Sequence, residues 1–105
     1  MRQIPGTRAL RTLIAAGRHL NFTRAADELG LTPAAISFQI KEIEDQLGVK
    51  LFTRTSRTIR LTEAGIILCD AAGEALDVMG RAASRAHKAA RGTAGRQSLT
   101  RALAR

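Results

Sequence analysis

Apolar residues recur at helical spacing in the segment 33–47, which also contains an aromatic residue off the stripe. The apolar stripe consists of Ile36, Ile40, Ile43 and Leu47. At ~100° per residue, Phe38 falls nearly opposite this stripe. The pattern therefore predicts a helix that buries its isoleucines and leaves a large aromatic ring facing away from the core.

Capping residues predict where the early helices begin and end. Thr7 is a candidate cap for a first helix, and Thr23 for a short second helix that ends at Gly30. Thr32 and Pro33 then suit the N-cap and first position of a third helix. Two helices joined by about three residues that include a glycine are typical of a helix-turn-helix.

The segment after the third helix changes from helical to strand-like patterning. We predict short strands at 52–54 and 58–61, joined by a polar turn at 55–57. A small basic hairpin that follows a helix-turn-helix is called a wing. The predicted fold class is therefore mostly α, a winged helix-turn-helix of three helices and a two-stranded hairpin over residues 1–61.

A long helix is predicted next, capped by Thr62 and continuing to residue 91. It would extend for ~43 Å, and its stripe of mostly small side chains is too long for one small domain to cover. The most economical partner is the same helix of a second copy in a homodimer. The predicted dimerisation residues are Leu68, Ala71, Ala72, Ala75, Met79, Ala82, Ala83 and Ala86. We expect the basic tail, 92–105, to be flexible.

Charge favours an anionic partner, either nucleic acid or an acidic membrane surface. The 105 residues have a formal net charge of +8, and no acidic residue follows Asp77. The segment 50–60 has four basic residues and no acidic one. One cysteine excludes an internal disulfide, and no apolar run is long enough to span a bilayer. We therefore expect a cytoplasmic protein, associated with the nucleoid and not with a membrane.

The start of the third helix has the features of a DNA-reading element. A helix fits the major groove of B-DNA, and its N-terminal end faces the bases. Its C-terminal half carries exposed acids that phosphate would repel, Glu42, Glu44 and Asp45, so we expect the helix to enter by its tip. The candidate contacts there are Thr32, Pro33, Ala34, Ser37, Phe38 and Lys41. Phe38 would contact a thymine methyl group; alternatively it packs on a neighbouring subunit or is simply exposed.

Basic residues outside this helix are candidates for the DNA backbone. Arg54 and Arg57 in the hairpin suit flanking phosphates or a narrow minor groove, although a solvated loop would have the same composition. Thr23 and Arg24 could hold a phosphate at the start of the second helix, or Thr23 could serve only as a cap.

Nothing in the sequence indicates an enzyme or a metal site. His19 and His87 have no other ligand at metal-binding spacing, so we predict no metal and no cofactor. Cys69 lacks a neighbour that would obviously lower its pKa, and we read it as a semi-buried thiol.

Four motifs in residues 9–65 match a known family in order and spacing. They are FTRAADEL, the AAIS-x-QIK-x-IE-x-QLG run, LF-x-R and LTEAG. This region resembles the N-terminal domain of LysR-type bacterial transcriptional regulators, in the branch of glycine-cleavage and β-lactamase regulators. The resemblance implies a winged helix-turn-helix and a dimerising linker helix. It also implies that Thr32, Pro33, Ala34 and Ser37 lie at the bases, and Arg54 at the backbone or minor groove.

The chain departs from this family in two ways. Members usually carry Arg or His after Ser37, whereas Phe38 stands here, which predicts a shift towards A·T-containing sites. Members also continue into a two-lobed effector-binding domain. We therefore expect no small-molecule effector to bind this chain, and a higher oligomer only in a full-length form.

The sequence leaves three functional hypotheses. The main one is sequence-specific binding of double-stranded DNA by a homodimer that regulates transcription. A second is a truncated interaction protein that dimerises with full-length regulators. A third, a non-specific basic nucleic-acid binder, is disfavoured because the chain has no Tyr or Trp and offers no stacking platform.

Overall fold

The structure is a computed structural model, and it describes residues 3–92. Four helices and one antiparallel hairpin follow one another in the predicted order, which confirms the fold class. The helices are α1 (Thr7–His19), α2 (Phe22–Leu29), α3 (Pro33–Leu47) and α4 (Glu63–Gly92), and the strands are β1 (Phe52–Arg54) and β2 (Ile59–Leu61).

A single aliphatic core holds α1, α2 and α3 together with the hairpin. The predicted stripe of α3 is confirmed, because Ile36 and Ile40 are fully buried and Ile43 is 2% exposed. Burying each such side chain stabilises the fold by roughly 1.5–3 kcal/mol. The alanines of the core let the helices approach closely. The remaining core residues are Leu13, Ala15, Ala16, Phe22, Ala25, Ala26, Leu51 and Phe52.

Two glycines and one threonine define the sharp bends around α3. Gly30 and Gly48 end α2 and α3 in the left-handed region, at φ 69° and 72°, where a side chain would be strained. Thr32 caps α3 by accepting a hydrogen bond from the Ala35 N–H at 3.1 Å, and Pro33 begins the helix. These predicted boundaries are confirmed.

The predicted caps at Thr7 and Thr23 are wrong. The hydrogen bonding of α1 already begins at Gly6, whose carbonyl accepts from the Leu10 N–H at 2.9 Å. At α2 the Asn21 side chain accepts from the Arg24 N–H at 2.9 Å, so the helix starts at Phe22. Asn is as good a cap as Thr, and the extended backbone of Asn21 places it first.

The hairpin is short and closed by threonines. Phe52 pairs with Leu61 and Arg54 with Ile59. The second strand begins one residue later than predicted because Thr58 closes the turn: its carbonyl accepts from the Thr55 N–H at 2.9 Å. The buried residue Phe52 therefore fixes one end of the wing, and the hydrogen-bonded turn between Thr55 and Thr58 fixes the other.

The described residues form two compact units, 3–74 and 75–92. The first unit includes the start of α4 because Ala64, Leu68 and Cys69 pack against the core. Thr62 caps α4 as predicted, accepting from the Gly65 N–H at 3.0 Å. The second unit is helical, and nearly all of its side chains are exposed. The predicted tail residues 93–105 lie outside the described residues.

Two predicted dimerisation residues already pack within their own chain. Ala72 is 4% exposed, and Leu68 lies against the core. Both therefore help to seat α4 on its own domain. Ile67 and Val78, which the sequence analysis left out, are exposed at 64% and 54%. The exposed apolar surface of α4 thus includes more large side chains than the predicted stripe of mostly small residues indicated.

Candidate nucleic-acid interface

The residues predicted to contact DNA are accessible. Nine of the ten are exposed and Ser37 is half-buried. The exposed ones are Thr23, Arg24, Thr32, Pro33, Ala34, Phe38, Lys41, Arg54 and Arg57. A residue that contacts DNA must be accessible, and none of these side chains is buried in the core.

Phe38 lies on the outer face of α3. Its ring is 63% exposed, whereas Ile36 and Ile40, two residues away on either side, are fully buried. The first turn of the same helix presents Thr32, Pro33 and Ala34 to solvent. The tip of α3 therefore combines small side chains, which allow close approach, with one large apolar ring.

Arg54 joins the wing to α3. Its Nη1 donates a hydrogen bond to the Ser37 Oγ at 3.1 Å. Its guanidinium carbon also lies 4.7 Å from the centroid of the Phe22 ring, a distance typical of a cation–π contact. Three elements, α2, α3 and β1, thus meet at one arginine. The sequence indicated only a contact with phosphates or a minor groove for Arg54, and it gave no sign of these contacts within the protein.

Phe22 is in turn fixed by Phe52. The two ring centroids lie 5.8 Å apart with an interplanar angle of 86°, an edge-to-face pair. Phe22 is only 9% exposed. The arginine therefore rests on a rigid aromatic support. Nothing in the sequence indicated that Phe22 supports Arg54, because a phenylalanine at the start of a helix is also typical of an ordinary core residue.

Glu44 was grouped with the acids that would repel phosphate, and this was wrong. It is 7% exposed, and its Oε2 accepts hydrogen bonds from the N–H groups of Leu51 at 2.8 Å and Phe52 at 3.2 Å. Lys50 Nζ lies 3.8 Å from its other oxygen. This carboxylate therefore anchors the hairpin to α3 instead of facing solvent. Glu42 and Asp45 are exposed, as predicted.

Thr23 and Arg24 occupy the first turn of α2, beside the Asn21 cap. Both side chains are exposed. At the other end of this helix, Glu28 pairs with Arg18 at 2.9 Å and with the His19 ring at 2.7 Å. These pairs connect α1 to α2 on the surface and leave the start of α2 accessible.

Arg57 lies in the turn of the hairpin and is exposed. Its backbone N–H donates to the Thr55 Oγ1 at 3.3 Å, and that hydroxyl is also in contact with the Thr58 Oγ1 at 2.8 Å. The turn is thus ordered by backbone and hydroxyl groups, and the Arg57 guanidinium is not needed to hold it.

Cys69 is a half-buried thiol, as predicted, and its environment disfavours the thiolate. Burial, and secondly the charge of Asp70, raise the pKa of Cys69 from 9.0 to about 11. Its Sγ contacts the Leu13 carbonyl at 3.7 Å. Within residues 3–92, no cluster of three or more His, Cys, Asp or Glu residues is suited to a metal ion. No helix in the same range is long and apolar enough to cross a membrane.

Three short helices, a hairpin and a long following helix define a winged helix-turn-helix protein. Residues 7–66 match the bacterial regulatory helix-turn-helix proteins of the lysR family, and the chain belongs to that family. This confirms the resemblance read from the four motifs.

Two curated relatives come from the predicted branch of the family. The chain is 56% identical over 64 residues to the glycine cleavage system transcriptional activator of Escherichia coli (strain K12), covering 61% of this chain and 21% of the relative. It is 44% identical over 80 residues to the carbapenem-hydrolyzing beta-lactamase transcriptional activator of Enterobacter cloacae, covering 76% and 27%. The chain thus spans between about a fifth and just over a quarter of the length of these relatives, which are regulators and not enzymes.

A solved neighbour matches almost completely. The CbnR DNA-binding domain, crystallised as a complex with DNA, superposes with a TM-score of 0.78 at 34% identity. The match covers 82% of this chain and 99% of that one. The neighbour therefore corresponds to the same set of elements, the winged helix-turn-helix with its following helix.

Proposed function

We propose that this chain is the DNA-binding part of a transcriptional regulator and binds double-stranded DNA as a homodimer in the bacterial cytoplasm, at the nucleoid. In functional terms, residues 1–61 read DNA, 62–91 dimerise and 92–105 form a basic tail. No cofactor is required.

One observation carries the proposal: the exposed tip of α3 and the basic wing are joined through Ser37 and Arg54, at 3.1 Å. A helix tip and a basic hairpin on the same side can occupy a major groove and its flanking backbone together. The corresponding elements of the CbnR domain were solved on DNA. The net charge of +8 supplies the attraction to phosphate.

The proposed contacts fall into two classes. Ser37 and Phe38, with the small residues Thr32, Pro33 and Ala34 around them, face base edges. Lys41, Arg54 and Arg57 face the backbone or minor groove, as do Thr23 and Arg24 at the start of α2. The first class determines sequence preference, and the second supplies most of the salt-dependent affinity.

Dimerisation rests on the exposed apolar side chains of α4. Met79 is 65% exposed and Val78 54%, and Ala75, Ala82, Ala83 and Ala86 are also exposed. A monomer that exposes such a face gains by pairing it, and two copies would favour a DNA site with approximate two-fold symmetry.

Binding to duplex DNA tests the regulator hypothesis. Duplexes selected from a randomised pool would be compared with scrambled versions of the same composition, each titrated at several salt concentrations. We expect the selected duplex to bind at least tenfold more tightly. Equal binding to the scrambled duplex would support the non-specific binder and would contradict sequence-specific recognition.

Sedimentation tests the dimer separately. We expect a dimer at micromolar concentration, and Met79→Glu should shift it to the monomer. Ser84→Glu is the matched control, because it introduces the same charge at another exposed position of α4. Wild-type monomers at that concentration would contradict the homodimer. The interaction-protein hypothesis gains support only if the chain pairs with a full-length regulator while showing no specific DNA binding.

A further inference from the structure

Among the base-facing residues, the Ser37 hydroxyl has a hydrogen bond to a side chain of another element, whereas the Thr32 hydroxyl bonds only the backbone of its own helix. Its oxygen accepts from the Arg54 Nη1, and in the described range the Ser37 side chain has no other hydrogen-bond partner. A serine hydroxyl has one proton to donate and two lone pairs to accept with. Its role toward DNA therefore depends on which of these the protein already uses.

A guanidinium group can only donate hydrogen bonds. Arg54 therefore uses an acceptor site of Ser37 and leaves the hydroxyl proton without an acceptor. The positive charge also opposes the approach of another donor to the same oxygen. The part of Ser37 that still lacks a hydrogen-bond partner is thus its hydroxyl proton, which is a donor.

The arginine is held in this position independently of Ser37. Its guanidinium carbon lies 4.7 Å from the Phe22 ring centroid, and Phe22 packs edge-on against Phe52. A long side chain fixed at its base by β1 and at its guanidinium by an aromatic ring loses little further freedom on binding. Arg54 is therefore set in place before any DNA is present.

We propose that Arg54 is a positioning residue that makes Ser37 a hydrogen-bond donor and so directs it to acceptor groups on base edges. This inference rests on the proposed DNA binding and adds the chemical class of base edge that is read. In the major groove the acceptors are the N7 of either purine, the O6 of guanine and the O4 of thymine, whereas cytosine presents the N4 donor. Cytosine should therefore be disfavoured at the base that Ser37 faces.

Binding of wild type and four variants to four duplexes that differ at one base pair tests this inference. The base pair is the one whose preference Ser37→Ala abolishes in the selected site. Wild type should bind the duplex with cytosine in the facing position about five- to tenfold more weakly than those with an acceptor. Arg54→Lys keeps the positive charge but loses the flat fork and its place over Phe22. The Arg54→Lys variant should lose most of the preference against cytosine, with little change in the salt dependence of DNA binding.

The double variant Ser37→Ala/Arg54→Lys should show no further loss of preference, because the two residues act as one unit. Arg57→Lys is the matched control, with the same exchange in the same hairpin, and should keep the full preference. Thermal unfolding checks that each variant is folded.

Three results would overturn the inference. They are a preference that survives Arg54→Lys, a preference for cytosine, and the absence of any base pair that depends on Ser37. In all three cases a specific duplex still binds, so the proposed function stands. If wild type binds no duplex in preference to scrambled DNA, the proposed function falls together with the inference.

Discussion

Glu44 of α3 accepts a hydrogen bond from the backbone N–H of Leu51 at 2.8 Å, and this contact joins the candidate reading helix to the entrance of the wing. The carboxylate is almost completely buried. A charge is tolerated there because it also accepts from the Phe52 N–H and lies 3.8 Å from Lys50. Stability and the geometry of the interface therefore depend on the same side chain.

Replacing Glu44 with Ala should destabilise the fold by about 2–4 kcal/mol, because two buried N–H groups lose their acceptor. Glu44→Gln keeps one acceptor oxygen and should cost less. Urea unfolding measures both. Exposed Glu42 offers the control, since Glu42→Ala should change stability by less than about 0.5 kcal/mol. Equal effects of the Glu44 and Glu42 variants would contradict the anchoring role.

Gly65 should tolerate no side chain. An added Cβ would lie 2.1 Å from the Leu51 carbonyl oxygen and 2.9 Å from Leu61 Cδ2, so Gly65→Ala should cost roughly 3 kcal/mol. Gly73 lies in the same helix with nothing within 4 Å of such an atom. Gly73→Ala should therefore stabilise the protein by up to ~1 kcal/mol through helix propensity. Thermal denaturation distinguishes the two, and a stable Gly65→Ala variant would show that α4 does not approach the Leu51 backbone so closely.

Cys69 should react slowly with thiol reagents. Its pKa of about 11 leaves far less thiolate at pH 8 than the ordinary value of 9.0. Alkylation of the folded protein should be roughly 10- to 100-fold slower than that of the urea-unfolded chain. The rate should be half-maximal only near pH 11. Asp70→Asn should lower the pKa in part, since burial is the larger cause.

The same shift predicts how stability depends on pH. The unfolded chain releases the Cys69 proton near pH 9 and the folded one near pH 11, so the folded state binds more protons between these values. The contribution is fully present below pH 9 and is lost as pH rises towards 11. Cys69→Ala should remove this part of the alkaline loss, and equal losses in both proteins would contradict the raised pKa.

Phe38→Ala should leave stability within about 0.5 kcal/mol of wild type, because the ring is 63% exposed. Phe22→Ala, in contrast, removes a buried ring and should cost about 3 kcal/mol. In DNA binding, Phe38→Ala should relax the preference at one base pair and leave the salt dependence unchanged. Selection from randomised duplexes measures this. An unchanged selected site would mean that the exposed ring has another purpose.

Local patterns predicted most of the fold. The stripe of α3, its Thr32 cap and the strand at 52–54 depend on residues close together in the chain, and all three are confirmed. The errors at Thr7 and Thr23 have a local cause too. Several residues near each helix start can serve as caps, and backbone geometry that the sequence does not display decides among them.

The candidate site was less predictable because its geometry is non-local. Arg54 meets Ser37 across 17 residues of sequence, and Glu44 reaches Phe52 across a left-handed glycine and a turn. Neither pairing follows from spacing, since both require the helices to be packed first. The sequence identified Arg54 as basic and accessible but held no sign that it is already engaged.

The hydrogen bonds of Thr62 have a mechanical consequence. Its hydroxyl accepts from the first turn of α4 and donates to the Lys50 carbonyl at 2.7 Å, while its own N–H donates to Leu51. The Leu51 N–H in turn donates a hydrogen bond to the Glu44 carboxylate. A twist applied to the start of α4 would thus be transmitted to α3 through these hydrogen bonds. Lengthening the chain beside Thr62 by a flexible residue would disconnect α4 from α3, even if every proposed DNA-contact residue were kept.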